Sequence, residues 1–354
     1  MQDDVTRGAR APIEANSAAW QREPDVASSV DRVRADTVQV GLTAVVLSVR
    51  QEQPVVMVAE APPNHGRATD ETSRPWRLPA GRFCPLEQPS LEAALRKVVL
   101  DSAGRELGYL EQLLTDYGSL DGNVGTPAAG GPRQLSVSYL ALTRAETSPP
   151  SDGARWVDCY ELLPWEDFRG GRPSILSTLI LPGLETWCAR TTSDHTPASE
   201  AETQMSRSER VSVSFGLSGR SWDDQRVVDR LDLLLEAGLL DRVAPSPLCP
   251  GDIRLAAAGL GRLRAKIRNR PVVFELLAQE FTLFELQRTV EAVLGPTLHK
   301  QNFRRLVEGT GLVEPTGDVR NNTGGRPAKT FRFRREVLLE RPAPGVHVRA
   351  GRAA

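Results

Sequence analysis

Lys300, Gln301, Asn302, Arg304 and Arg305 stand within six residues of one another in a chain of 354 residues. Arg320, Arg326 and Lys329 follow in a stretch rich in Gly, Asn and Asp. Arg and Lys neutralise phosphate, and the amides of Asn and Gln match the donor and acceptor pattern of an adenine edge. The set therefore suits both affinity for duplex DNA and readout of its sequence. The plain alternative is a basic face that only meets water or a protein partner, which would make the chain an interaction adaptor.

The elements that must carry these side chains are legible around them. Thr282 lies three residues before Glu285, the spacing of a capping box that opens a helix. Leu283, Leu286, Val290 and Leu294 recur at three- and four-residue intervals as an apolar stripe, and Gly295-Pro296 ends it. The helical period resumes over 297–307, with Phe303, Leu306 and Val307 on the buried side and Gln301, Arg304 and Arg305 opposite. Gly309 and Gly311 close that helix, and strand-like runs over 312–314 and 330–333 flank the basic loop. Two short helices, a turn and a basic hairpin describe a winged helix-turn-helix. A further helix from about Ile253 to Arg268, with Leu255, Leu260 and Leu263 on its apolar side and Arg262, Lys266 and Arg270 on its polar side, is expected to be the first of that domain.

Charge supports the division. The whole chain balances 44 Lys and Arg against 45 Asp and Glu, but residues 252–354 hold 19 basic and 10 acidic residues, a net of +9 that leaves −10 for residues 1–251. Such asymmetry points to a nucleic-acid-binding segment joined to a part with another task. No apolar run is long enough to span a membrane, and the chain reads as cytoplasmic. Cys84, Cys159, Cys188 and Cys249 form no C-x-x-C pair, and His65, His195, His299 and His347 are scattered, so neither a metal site nor a disulfide framework is expected. The expected divisions are a flexible tail over 1–35, a ligand-sensing domain over 36–170, a linker and connecting helix over 171–251, the winged domain over 252–340 and a tail over 341–354. Within the connecting part, 190–210 reads as unstructured linker. A helix from Ser221 to Gly238 could pack on either domain.

In the N-terminal part, runs over 38–47, 54–61, 113–118 and 134–143 are strand-like. A helix capped by Ser90 and closed by Gly104 carries Leu91, Ala94, Leu95 and Val98. Strands enclosing helices in this order make an α/β (α+β) sandwich. Around Leu78-Pro79-Ala80-Gly81 the sequence resembles a Nudix fold: Gly81, Glu87 and Arg96 match the Nudix box in kind, with one extra residue between the last two. Lys97 stands where the box has Glu after Arg, and Leu100 and Asp101 replace its glutamate pair. Divalent-metal chemistry on phosphates needs clustered carboxylates, and this exchange removes two of them and adds a positive charge.

A Nudix-like domain without its carboxylates, followed by a winged helix, resembles the Nudix-related transcriptional regulators of NAD metabolism. The motifs that carry the resemblance are RLRAKIRNRPVVFELL, FTLFELQ, LHKQNFRRLVEGTGLVE and GRPAKTFRF. It implies a homodimer on a palindromic operator, no required cofactor, and ADP-ribose or a related nucleotide as effector. By position on the Nudix pattern, Arg77 and Arg82 beside Gly81 pair with a pyrophosphate, Glu87 meets a ribose hydroxyl and Tyr117 stacks on a base. The competing reading is a Nudix hydrolase of a nucleoside diphosphate such as ADP-ribose.

Overall fold

The computed structural model describes residues 38–60, 76–117, 133–144, 150–190, 205–320 and 327–340. The expected tails over 1–35 and 341–354 and the wing residue Arg326 lie outside them. The first unit comprises β1 (Val38–Arg50), β2 (Gln53–Glu60), β3 (Trp76–Arg77), β4 (Ala80–Arg82), α1 (Leu91–Ala103), β5 (Leu110–Tyr117), β6 (Arg133–Leu142) and β7 (Ala154–Asp158). A connecting part follows, with α2 (Cys159–Leu162), α3 (Leu181–Ala189), α4 (Arg207–Ser214), α5 (Val227–Glu236) and α6 (Leu240–Val243). The chain ends in α7 (Pro250–Asn269), β8 (Glu280–Thr282), α8 (Leu283–Leu294), α9 (Lys300–Thr310), β9 (Val313–Arg320), β10 (Ala328–Phe333) and α10 (Val337–Glu340).

β1 is the axis of a seven-stranded mixed sheet. It pairs antiparallel with β2 and β4 and parallel with β6, while β5 lies beyond β6, and β3 and β7 flank β2. Residues 41–48 of β1 are all buried, because a helix covers each face. On one side Ala94, Leu95, Val99 and Ala103 of α1 pack on Leu42, Ala44, Val46 and Met57. Ser90 caps α1 through the Ala93 amide, and Gly104 closes it in the left-handed conformation, as the sequence leads one to expect. On the other side lies α7. At Gly259 a Cβ would stand 2.6 Å from Val45 Cγ1, so only glycine lets this helix sit so close to the sheet. The helix expected to open the winged domain is thus also the second cover of the sandwich.

The connecting part is more ordered than its composition implies. Of the stretch read as linker over 190–210, residues 191–204 lie outside the described residues; its last residues enter α4, opened by a capping box in which Ser206 and Glu209 bond each other's backbone amides. The helix expected from Ser221 begins only at Val227. The winged unit matches its expected order, with three differences. A short strand, β8, precedes α8 and pairs with β10, giving the order β8-β10-β9. α9 starts at Lys300 rather than Thr297, since the Leu298 amide is bound to the Glu291 carboxylate and Leu298 belongs to the turn. β9 runs on to Arg320, so residues 315–320 are strand rather than loop.

One buried cluster joins the connecting part to α7 and α8. Glu166 accepts from Arg230 of α5 (Nε–Oε1 2.6 Å, Nη2–Oε2 3.0 Å) and from Arg264 of α7 (Nη1–Oε2 2.5 Å). Arg264 also donates to the carbonyls of Val293, Asp224 and Glu166 and to the Tyr160 hydroxyl, so all five of its N–H groups are used. Burial alone would raise the Glu166 carboxyl, but the two guanidinium groups hold it below the usual carboxylate range. Removing one partner of such a cluster leaves an uncompensated buried charge. Glu166→Ala is expected to lower unfolding free energy by about 3–5 kcal/mol in chemical denaturation. Because the folded carboxyl is depressed, its contribution is complete above the ordinary carboxylate range and is lost as pH falls through the folded value. Acidification should therefore narrow the gap between wild type and variant.

Candidate functional site

The winged unit presents a coherent face. Phe303 and Val307 anchor α9 in the core, leaving Lys300, Gln301, Asn302, Arg304 and Arg305 exposed on its outer side. Asn302 accepts from Arg305 at 3.5 Å; among the described residues no ion pair engages Lys300, Arg304 or Lys329. The first turn of α9 has no side-chain cap and no acidic residue, so its free amides and Lys300 together favour an anion there. Lys329 is exposed on β10, beside the wing.

Two polar devices set this face. The capping box opens α8 as its spacing requires: Thr282 Oγ1 accepts from the Glu285 amide at 3.1 Å, and Glu285 Oε2 accepts from the Thr282 amide at 2.7 Å. The other oxygen of Glu285 takes Arg320 Nη1 at 2.6 Å, and Arg320 also donates to the Glu280 carbonyl. Arg320, expected among the DNA contacts, thereby ties β9 to the start of α8. The turn between α8 and α9 is held by Glu291, almost wholly buried, whose Oε1 accepts both the Leu298 amide and Gln287 Nε2 at 2.8 Å. Gln287 in turn donates to the Leu298 carbonyl at 2.9 Å. The 287/291 pair was missed in the sequence, although polar residues at i and i+4 on an otherwise apolar helix face are its signal.

The candidate ligand residues of the sandwich do not converge in the same way. Gly81 pairs with Leu42, on the α1 face, and a Cβ there would meet Val98 Cγ2 at 2.6 Å, so this glycine serves the close approach of β4 to α1. Arg82 pairs with Gly41 and so lies on the opposite face. Tyr117, 61% exposed, pairs with Leu135 at the far end of the order β4-β1-β6-β5, on the face of α1 and about 14 Å from β4. Glu87 is exposed in the turn before α1. Arg77 is bound to Asp252 at the start of α7 (2.8 Å). On the outer side of α1, Lys97, Leu100 and Asp101 are exposed, and Arg96 donates to the carbonyls of Leu107 and Gly108. Among the described residues no three His, Cys, Asp or Glu side chains gather as a metal would require. No described helix is long and apolar enough to cross a membrane.

The basic residues of α7 are turned inward. Arg262 and Lys266 share Glu111 of β5 (2.9 and 2.8 Å), Arg254 meets Asp232, and Arg268 meets Asp224. Burial would raise the Glu111 carboxyl, but the hydrogen bonds from Lys266 and Tyr109 hold it low.

Residues 273–333 match the family model of the NrtR DNA-binding winged helix domain. Over 79 residues the chain is 39% identical to the "ADPR responsive transcriptional repressor NtrR" of Acinetobacter baylyi; the match covers 22% of this chain and 31% of that protein, so the chain spans about a third of the relative's length. Among solved structures, Shewanella oneidensis NrtR complexed with a 27mer DNA is similar with a TM-score of 0.49 and 18% identity, over 85% of this chain and 95% of that one. A MutT/nudix family protein from Enterococcus faecalis is similar with a TM-score of 0.46 and 15% identity, over 88% and 95% of the two chains.

Glu291→Ala strips the Leu298 amide of its acceptor and leaves the Gln287 side chain only the Leu298 carbonyl. It is expected to cost about 1–3 kcal/mol in urea denaturation and to loosen the turn.

Proposed function

We propose that the chain is a transcriptional repressor of genes for NAD biosynthesis or salvage, binding duplex DNA through α9 and the wing. The observation that carries this reading is the match of residues 273–333 to a DNA-binding winged helix domain. Within that segment, α9 exposes Lys300, Gln301, Arg304 and Arg305 over an uncapped first turn. Asn302, Lys329 and the wing residue Arg326 complete the proposed contact set. Two such domains in a homodimer meet the two halves of a palindromic operator, and the protein acts in the cytoplasm.

The sandwich, in this reading, is a Nudix-like sensor for ADP-ribose or a related nucleotide. A relative named as ADPR-responsive supports the choice of effector. Gly81 and Tyr117 share the α1 face, and a separation of three strands suits an extended ligand with a base at one end and a pyrophosphate at the other. Arg82 lies on the opposite face, Arg77 is held by Asp252, and Glu87 is exposed in the turn before α1. Hydrolysis finds little support: where a Mg²⁺-binding helix presents clustered carboxylates, α1 presents Lys97, Leu100 and Asp101, a donor set that does not fit a divalent cation.

The test is fluorescence anisotropy of labelled promoter duplexes titrated with the full chain, with and without ADP-ribose. Site-dependent binding that ADP-ribose shifts is expected; indiscriminate or absent binding would sink the reading. Arg304→Ala or Arg305→Ala should weaken specific binding by about 1–3 kcal/mol where the side chain meets a base. Lys300→Ala and Arg326→Ala should instead weaken all duplexes alike and reduce the salt slope by about one each.

A further inference from the structure

The tip of the β1–β2 hairpin touches the helix-turn-helix. Arg50 and Gln53 face each other across a two-residue turn in which Gln51 and Glu52 both have positive φ, 47° and 63°. Such a turn ordinarily takes Asn-Gly, so the Glu52 carboxylate stands there against a conformational cost. Glu52 Oε2 accepts Arg288 Nη2 of α8 at 2.5 Å. Arg288 Nη1 reaches Glu291 Oε2 at 2.9 Å, and the other oxygen of Glu291 holds the Leu298 amide two residues before α9. The backbone of the same turn is fixed from behind: Arg169 donates to the Glu52 carbonyl (2.7 Å) and to Gln53 Oε1 (2.9 Å) while chelated by Asp167. Arg169 also lies over the Tyr160 ring, and the Tyr160 hydroxyl donates to the Ala292 carbonyl of α8.

We propose that Glu52 is a positioning residue for the recognition helix, acting through Arg288 and Glu291 without touching DNA; the DNA readout of this proposal rests on the function proposed above. β1 runs unbroken from its pairing with Gly81–Arg82 to this tip, so the strand beside the candidate nucleotide face ends on the helix that supports α9. The Glu52 and Arg288 side chains are 46% and 38% exposed, and a cleft of about 350 Å³ opens between the hairpin, Arg169 and α8. A half-solvated pair contributes little to global stability, which suits a contact that orients rather than one that holds the fold together.

The experiment uses the full chain as wild type, Glu52→Gln, Arg288→Gln and the double variant. Amide hydrogen exchange over residues 297–300 and operator affinity are the readouts, with the denaturation midpoint as control. Glu52→Gln is expected to speed exchange at Leu298 and to weaken operator binding about two- to fivefold with the midpoint unchanged. In the Arg288→Gln background it should add nothing further. Unchanged exchange in Glu52→Gln, or effects of the two substitutions that simply add, would overturn the proposal. If the wild type binds no duplex, the proposed function falls, while the exchange arm still decides whether Glu52 positions the turn.

Discussion

The Glu166 carboxylate between Arg230 and Arg264 is the constraint on which the arrangement of this chain depends. It is formed by three elements distant in sequence: the segment after β7, α5 of the connecting part, and α7. Its outer hydrogen bonds reach further, to Ser214 at the end of α4 and to the Val293 carbonyl at the end of α8. A buried ion cluster is weak evidence for net stability, since an apolar trio of equal volume serves as well. It does demand one geometry. A guanidinium with five donors in a fixed fork is satisfied only when every acceptor is in place, so α5, α7 and α8 cannot slide independently.

The same economy of charge explains the contrast between the two halves of the sequence. The acids of the first 251 residues are not only surface: Glu52, Glu111, Glu166, Asp224 and Asp232 each meet a cation from beyond residue 252. Much of what looks in the sequence like an electrostatic signature for an external polyanion is consumed within the molecule. What survives on the outside is concentrated on α9 and beside the wing, where Lys300, Arg304 and Lys329 have no acidic partner among the described residues. Among the described residues this outward positive charge is therefore local, and most of it is carried by a short helix seated in the core by Phe303 and Val307.

What was legible in the sequence was local. The capping box at Thr282 and Glu285, the Ser90 cap, the Gly104 stop and the apolar stripe of α8 depend on neighbours within four residues, and each forms as its spacing requires. β8 was not legible, because three residues carry no period and gain strand geometry only by pairing with β10. α4 was overlooked within a polar stretch, although Ser206 and Glu209 stood at capping-box spacing. The partners of Arg320 and Arg77 lie 35 and 175 residues away, so a sequence offers their charge but not its destination. The candidate nucleotide residues follow a positional pattern, whereas strand register, which decides on which face Arg82 and Tyr117 lie, is set by pairing rather than by composition.

α7 has the most far-reaching place in the fold. One side of it lies on the sheet at Val45 and Leu140, and its far end supplies Arg264 to the carbonyl that closes α8. It is a common wall between two rooms. The chain accordingly has no seam at residue 252: a fragment beginning there would carry a naked apolar flank, and one ending there would leave a sheet uncovered. Nor is there a seam after Asn269: α8 lies against β1 and β2 directly, and it is fastened to the rest of the chain by Arg264, Tyr160 and Glu52.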